Sequence, residues 1–330
     1  MRRIVLAAIA IIVSGSVGSA LYGASAPPMV RVASSGLSAE LLPLWIGQDR
    51  GLFKKHGLNS EVITIQGGPL AIQALVSGST QFHAGGTSSP MESRIGGANT
   101  VALAVFIDSL PYTLVSSANI KAAAQLKGAK FAVSRLGSVS DLSLRIALRN
   151  MGINPEKEAT ILGIGDQTSR FTALRSGAVD ATVISPPLTV TARKLGLTAI
   201  SSFQDAGIVW AYNSIDATHD FAQNNRGVIL SFLRGFVESI AYIHKNKEES
   251  IATMGRWMRL DDREALNESY EYVLRIVPKK PYATDKGIQA VLDALALRNP
   301  AAKKFKPQDF YDMSYLQELD KSGFLDAVFR

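Results

Sequence analysis

Short apolar runs alternate along this 330-residue chain with longer stretches in which apolar residues return every three or four positions, and small residues stand at most of the joins. The stretch 50–87, RGLFKKHGLNSEVITIQGGPLAIQALVSGSTQFHAGGT, holds one complete unit of that pattern. Residues 61–65 alternate with the period of two that marks a strand, and Gly67, Gly68 and Pro69 make a turn. Pro69 falls where a first helical residue tolerates the loss of its N–H. Ala71, Ile72, Leu75 and Val76 follow at helical spacing, and Gly78 stops the helix as a C′ glycine does. Residues 81–84 form a second strand, and Gly85, Gly86, Thr87, Ser88 and Ser89 open onto another helix. Strand, small-residue turn, helix and strand is the repeating element of an open α/β sheet. Ligands in such sheets bind where the small-residue loops leave the strand ends.

The same alternation predicts strands over 30–33, 100–106, 112–116, 130–134, 159–164, 180–184, 197–200 and 208–213. It predicts helices over 38–48 with Ser38 as N-cap, over 121–128, over 138–151 with Ser138 or Ser140 as N-cap, and over 168–175. From residue 217 onward the pattern is helical to the end, with one long helix over 221–244 and a final one over 308–329. Thr284 and Asp261 or Asp262 are expected as N-caps in this part. The sequence A-L-x-S-G occurs at 74–78 and again at 173–177, each time before a strand and a small-residue loop. Two topologically equivalent lobes would show such an echo.

Composition adds a globular balance, with 47% hydrophobic and 19% charged residues, enough for two lobes of ordinary domain size. The formal charge of +7 falls to 7 − 2 = +5 without Arg2 and Arg3. No basic run with interleaved aromatics marks a nucleic-acid partner. Residues 1–26 read as a signal peptide: two arginines, an apolar run over 4–13 too short to span a bilayer, then small residues. Cut sites fit after Ala20 or Ala26. The chain has no cysteine, which excludes disulfides, thiolate chemistry and a lipid anchor on a cysteine. The expectation is a freely soluble protein held in a periplasm.

Catalytic signals are sparse. The four histidines, His56, His83, His219 and His244, do not pair at i, i+3 or i, i+4, so neither a metal nor any other cofactor is expected. There is no nucleophile elbow and no P-loop. Loops that precede predicted helices instead supply a candidate binding site: Ser34, Ser35, Gly36 and Leu37; Gly67 and Gly68; Thr87, Ser88 and Ser89; Arg135, Gly137 and Ser138; Ser185 and Pro186. Helix N-termini offer free N–H groups and a positive dipole end, suited to sulfonate, nitrate or carboxylate oxygens. Arg135 is either a clamp on an oxyanion or a surface residue beside a cap. Trp210 and Tyr212 are either an apolar wall for an organic ligand or hinge packing.

The segments GLFKKHGLNSEV, ALVSG and QFHAGGTSS, with YDMSYLQELDKSGFLDAVF near the end, resemble the solute-binding proteins of bacterial ABC importers for nitrate, taurine and alkanesulfonates. That group includes binders of aromatic acids and of pyrimidine precursors of thiamine. The resemblance runs from about residue 30 to the C-terminus. It implies a type II-like two-lobe α/β fold of periplasmic binding proteins, each lobe an open mixed sheet flanked by helices, with two crossing strands as hinge. Lobe one is expected at 30–116 plus 213–330 and lobe two at 117–212. The implied partners are a small ligand captured by hinge closure and an ABC transporter permease, with the protein itself a monomer and not an enzyme. A ligand sensor for a receptor would use the same cleft. Relatives that make the thiamine pyrimidine carry a cysteine-rich motif absent from this chain.

Overall fold

Ten strands and the helices between them emerge in a computed structural model that describes residues 27–203 and 209–330. The expected signal peptide at 1–26, and Ile208 of the expected returning strand, lie outside the described residues. The strands are β1 (Met29–Ser34), β2 (Asn59–Thr64), β3 (Phe82–Gly86), β4 (Thr100–Ser109), β5 (Thr113–Ser116), β6 (Lys130–Val133), β7 (Thr160–Gly163), β8 (Ala181–Ile184), β9 (Thr198–Ser202) and β10 (Val209–Thr218). They form two five-stranded sheets, ordered β2-β1-β3-β10-β4 and β7-β6-β8-β5-β9. In each sheet the first three strands run parallel and the fourth is antiparallel to both its neighbours.

The second sheet is built from the consecutive strands β5 to β9, and the first from β1 to β4 with β10 added when the chain returns. The chain leaves the first sheet after β4 and enters the second as β5, then leaves after β9 and returns as β10. The strand Thr113–Ser116, expected at the end of lobe one, is hydrogen-bonded to β8 and β9 of the second sheet. Residues 209–212, expected at the end of lobe two, belong to a strand that pairs with β3 and β4 of the first. The physical reason is that alternation marks a strand but not its sheet, which is set by hydrogen-bonding partners far along the chain.

The echoed A-L-x-S-G segments occupy equivalent places. Helices Gly68–Val76 and Gln167–Arg175 precede β3 and β8, the third strand of each sheet. Both end the same way: the Ser77 and Ser176 hydroxyls each donate to the carbonyl three residues back at 3.1 Å. Gly78 and Gly177 then adopt φ of 77° and 76°, the left-handed turn that glycine tolerates without a Cβ penalty.

Four helix expectations change. The stretch 121–128 holds only a 3₁₀ turn, Ala123–Leu126. The stretch 38–48 starts as a tight turn, Ala39–Leu41, before the α-helix Leu42–Asp49, and Ser38 makes no capping bond. The stretch 221–244 is two helices, His219–Asn224 and Arg226–Lys245, broken at Asn225 with φ −127° and ψ 41°. The last helix is also two, Ser314–Lys321 and Phe324–Val328, parted by Gly323 at φ 78°. Ser138, Thr284 and Asp262 cap as expected, their side chains accepting from the N–H groups of Asp141, Gly287 and Ala265.

The core of the first sheet rests on Arg226–Lys245. Its buried face carries Ile229, Phe232, Leu233, Phe236 and Ile240. Phe232 stacks on Phe82 of β3 at 4.0 Å and on Phe53 at 4.7 Å. A side chain held on both faces by rings fixes the helix against the sheet.

Candidate functional site

Between the two sheets lies a cavity of ≈ 50 Å³ with walls from both. At ~10–15 Å³ per water in this measure it holds a few waters, so a ligand enclosed there is small. Four helices aim their N-termini at it: Gly68–Val76 and Ser88–Ile95 from the first sheet, Val139–Asn150 and Gln167–Arg175 from the second. Gly68, Ser89, Ser138 and Gln167, all in these first turns, line the wall. Each helix start leaves unpaired N–H groups, and their aligned dipoles favour an anion at the point of convergence.

Of the residues expected here, Ser35, Gly36, Leu37, Gly68, Ser89 and Ser138 line the cavity. Ser34 does not; it is fully buried and its hydroxyl donates to the Gly36 carbonyl at 2.8 Å, shaping the loop. The Thr87 hydroxyl donates to the carbonyls of Ala211 and Tyr212, pinning β10 to the loop rather than facing a ligand. Ser88 is buried away from the wall. Gly67 has φ +93° and is covered by the Arg135 stem, so a Cβ there would meet Arg135 Cδ at 2.7 Å. Arg135 itself is exposed, and its Nε donates to the Gln66 carbonyl at 2.9 Å. It therefore joins the two lobes' loops at the rim and does not line the cavity. Gly137 donates its N–H to Asp141 Oδ2. Ser185 is buried behind the wall on Gln167, and neither it nor Pro186 lines the cavity. Trp210 is 2% exposed and also lies off the wall, whereas Tyr212 lines it.

The cation of the wall is Arg170, which the linear pattern did not single out. It is the fourth residue of Gln167–Arg175 and is 1% exposed. Its Nη1 donates to the Val183 carbonyl at 2.8 Å and its Nε to the Asp166 carbonyl at 3.3 Å. The guanidinium lies 5.9 Å from the Tyr112 ring centre. No carboxylate among the described residues forms an ion pair with it. Asp166, also on the wall, is committed to helix capping and to Gln66 across the seam: Oδ1 accepts from the Ser169 N–H at 2.8 Å and Oδ2 from Gln66 Nε2 at 3.0 Å. Tyr112 and Tyr212 meet edge to face at 5.4 Å. Burial pushes both phenols upward, Tyr212 well above the usual range, so they stay neutral hydrogen-bonding groups. A signal for Arg170 existed: Asp166 capping a short helix whose fourth residue points back toward the cap.

His83 lies beneath this wall. It is fully buried, and its Nδ1 is 2.8 Å from Asp216 Oδ2 on the paired strand. Desolvation pushes Asp216 upward, with His83 and Ser214 opposing. No group of three or more metal-ligating side chains occurs among the described residues.

A family model described as NMT1/THI5 like matches residues 38–250. A protein of Escherichia coli (strain K12) named for binding aliphatic sulfonates is 26% identical over 267 residues, covering 79% of this chain and 81% of that protein. A protein of Brucella abortus (strain 2308), named only as a binding protein, is 25% identical over 221 residues, 66% of this chain and 67% of its own. Among solved structures, a protein of Bordetella bronchiseptica RB50 superposes with a TM-score of 0.81 at 22% identity, over 89% of this chain and 98% of that one. The alkanesulfonate-binding protein SsuA of Xanthomonas axonopodis pv. citri, bound to MOPS, gives 0.71 at 17% identity, over 86% and 96%. The periplasmic nitrate-binding protein NrtA of Synechocystis PCC 6803 gives 0.73 at 14% identity, over 89% and 88%. The match of more than half the chain, together with this shared periplasmic binding protein fold, makes the chain a member of the NMT1/THI5-like family.

Proposed function

We propose that the protein is the solute-binding component of an ABC importer, closing two lobes on a small oxyanion such as a sulfonate, nitrate or carboxylate. The observation that carries this reading is the convergence of four helix N-termini and the unpaired Arg170 on one small cavity between the sheets. Relatives named for sulfonate and nitrate binding support the same ligand class. The lobes of this reading divide where the chain changes sheet, between β4 and β5 and between β9 and β10. Ligand stabilises the closed form because only that form completes both half-sites. The protein works as a monomer in the periplasm, hands its ligand to a membrane permease, and leaves the ligand chemically unchanged.

The test is a thermal-shift screen against alkanesulfonates, taurine, nitrate, aromatic carboxylates and pyrimidines, followed by calorimetry on any hit. A ligand at ~100 times its Kd adds ~2.7 kcal/mol of stability. A shift with one anionic class is the expected result. Steady conversion of a bound ligand by the purified protein would sink the reading.

A further inference from the structure

Glu40 lies at the seam between the lobes, flanked in sequence by Ser38 and Leu41 of the cavity wall. It is 0% exposed, and neither carboxyl oxygen has a hydrogen-bond partner among the described residues. Opening the lobes removes its second-sheet neighbours, Ser185 and Arg170, and lets water reach it. We infer that Glu40 enters the closed seam as a neutral acid, so that closure takes up one proton. This rests on the two-lobe closure proposed above.

The Ser185 hydroxyl lies 3.1 Å from Gln167 Oε1 and 2.9 Å from Gln167 Nε2, and its N–H donates to the same Oε1 at 2.7 Å, so Ser185 is engaged with Gln167. Both Glu40 oxygens are left buried without a bonded partner among the described residues, an arrangement that penalises the ionised carboxylate far more than the neutral acid. The other groups around it do not supply a bonded cation. Arg170 favours the ionised form from a distance, but its Nη1 and Nε are spent on the Val183 and Asp166 carbonyls. The Asp166 carboxylate caps its helix and holds Gln66. Tyr112 and Tyr212 are neutral phenols, and the Tyr272 hydroxyl donates to the Pro111 carbonyl. Ser38 is the remaining hydroxyl. Burial raises the Glu40 carboxyl above the usual carboxylate range, with Ser185, Ser38 and Arg170 opposing.

The sign follows from linkage. A group whose pKa is raised in the closed form favours closure fully below its open-form pKa, and that favour is lost as pH rises through the closed-form value. Between the two values the closed-to-open ratio falls by up to about tenfold per pH unit, the slope for one proton. The chain has no cysteine, so Leu70→Cys and Leu162→Cys, at exposed positions on the two lobes, take a clean spin-label pair. The distance distribution between the labels is read from pH 5 to 8 with Glu40 intact and with Glu40→Gln. The expected result is loss of the short-distance population with rising pH in the parent and none in Glu40→Gln, whose amide does not titrate. Glu40→Met, an uncharged side chain of similar length, carries the same test if Glu40→Gln does not fold. A parent insensitive to pH, or a Glu40→Gln variant as sensitive as the parent, overturns the inference. Distances that respond to pH but not to ethanesulfonate, nitrate or benzoate overturn the ligand reading and leave Glu40 in place; the reverse pattern does the opposite.

Discussion

Arginine 135 and arginine 170 illustrate how a charged residue near a helix start divides into rim and wall. Arg135 follows a strand and precedes a cap, which is where an oxyanion clamp is expected, yet its guanidinium turns outward to the Gln66 carbonyl. Arg170 lies one turn inside a helix and turns back toward the helix start, in contact with the cavity. Arg170→Ala is therefore expected to weaken an anionic ligand by at least tenfold, since a hydrogen bond to a charged group is worth ~1.5–3 kcal/mol. Arg135→Ala should change affinity by less than about threefold, the scale of an exposed polar contact. Calorimetry with a ligand from the screen separates the two; equal losses would put both on the ligand. His83 belongs to the same scale of argument. Its register opposite Asp216 was invisible in a strand whose partner lies 133 residues away.

Helix ends were the most legible elements, because capping and termination are local. Thr284 accepts from the Gly287 N–H at 3.1 Å and also donates to Asp108 Oδ2 at 3.0 Å, a bond that no local rule foresees. Thr284→Ala should cost about 1 kcal/mol for the cap, read by urea unfolding. The lost Asp108 bond should add to that. Phe232 carries more. Ringed by Phe53 and Phe82 and fully buried, it should cost ~3–5 kcal/mol as Phe232→Ala. A loss near 1 kcal/mol would mean the helix is anchored elsewhere. The breaks at Asn225 and before Gly323 were harder to see, since the apolar spacing continues across both and only the backbone angle changes.

Across the whole molecule, ion pairs that bridge the lobes bias closure without touching ligand. Arg298, from the first lobe, reaches the buried Asp141 of the second at 2.9 Å, where Arg145 and the Gly137 N–H also bond. On the opposite flank Lys194 meets Asp262 and Glu264, and Arg193 meets Glu268. The flank pairs are exposed and individually weak. Arg298→Ala should lower ligand affinity a few-fold through the closed state alone and shift small-angle scattering of the liganded protein toward a longer radius of gyration. Unchanged scattering with lower affinity would place the effect at the site instead.

Sequence patterning by itself determined the alternation of strands and helices, the paired A-L-x-S-G stops and the small-residue loops that precede helices, because these depend on backbone chemistry within a few residues. It also bounded the chemistry, with no cysteine and no paired histidines. Tertiary structure decided which loop residues reach the cavity, that β5 pairs within the second sheet and β10 within the first, and that Arg170 lines the cavity while Glu40 is buried between two of its lining residues. Those facts depend on which way a side chain turns and on contacts between segments more than a hundred residues apart, and no local period encodes either.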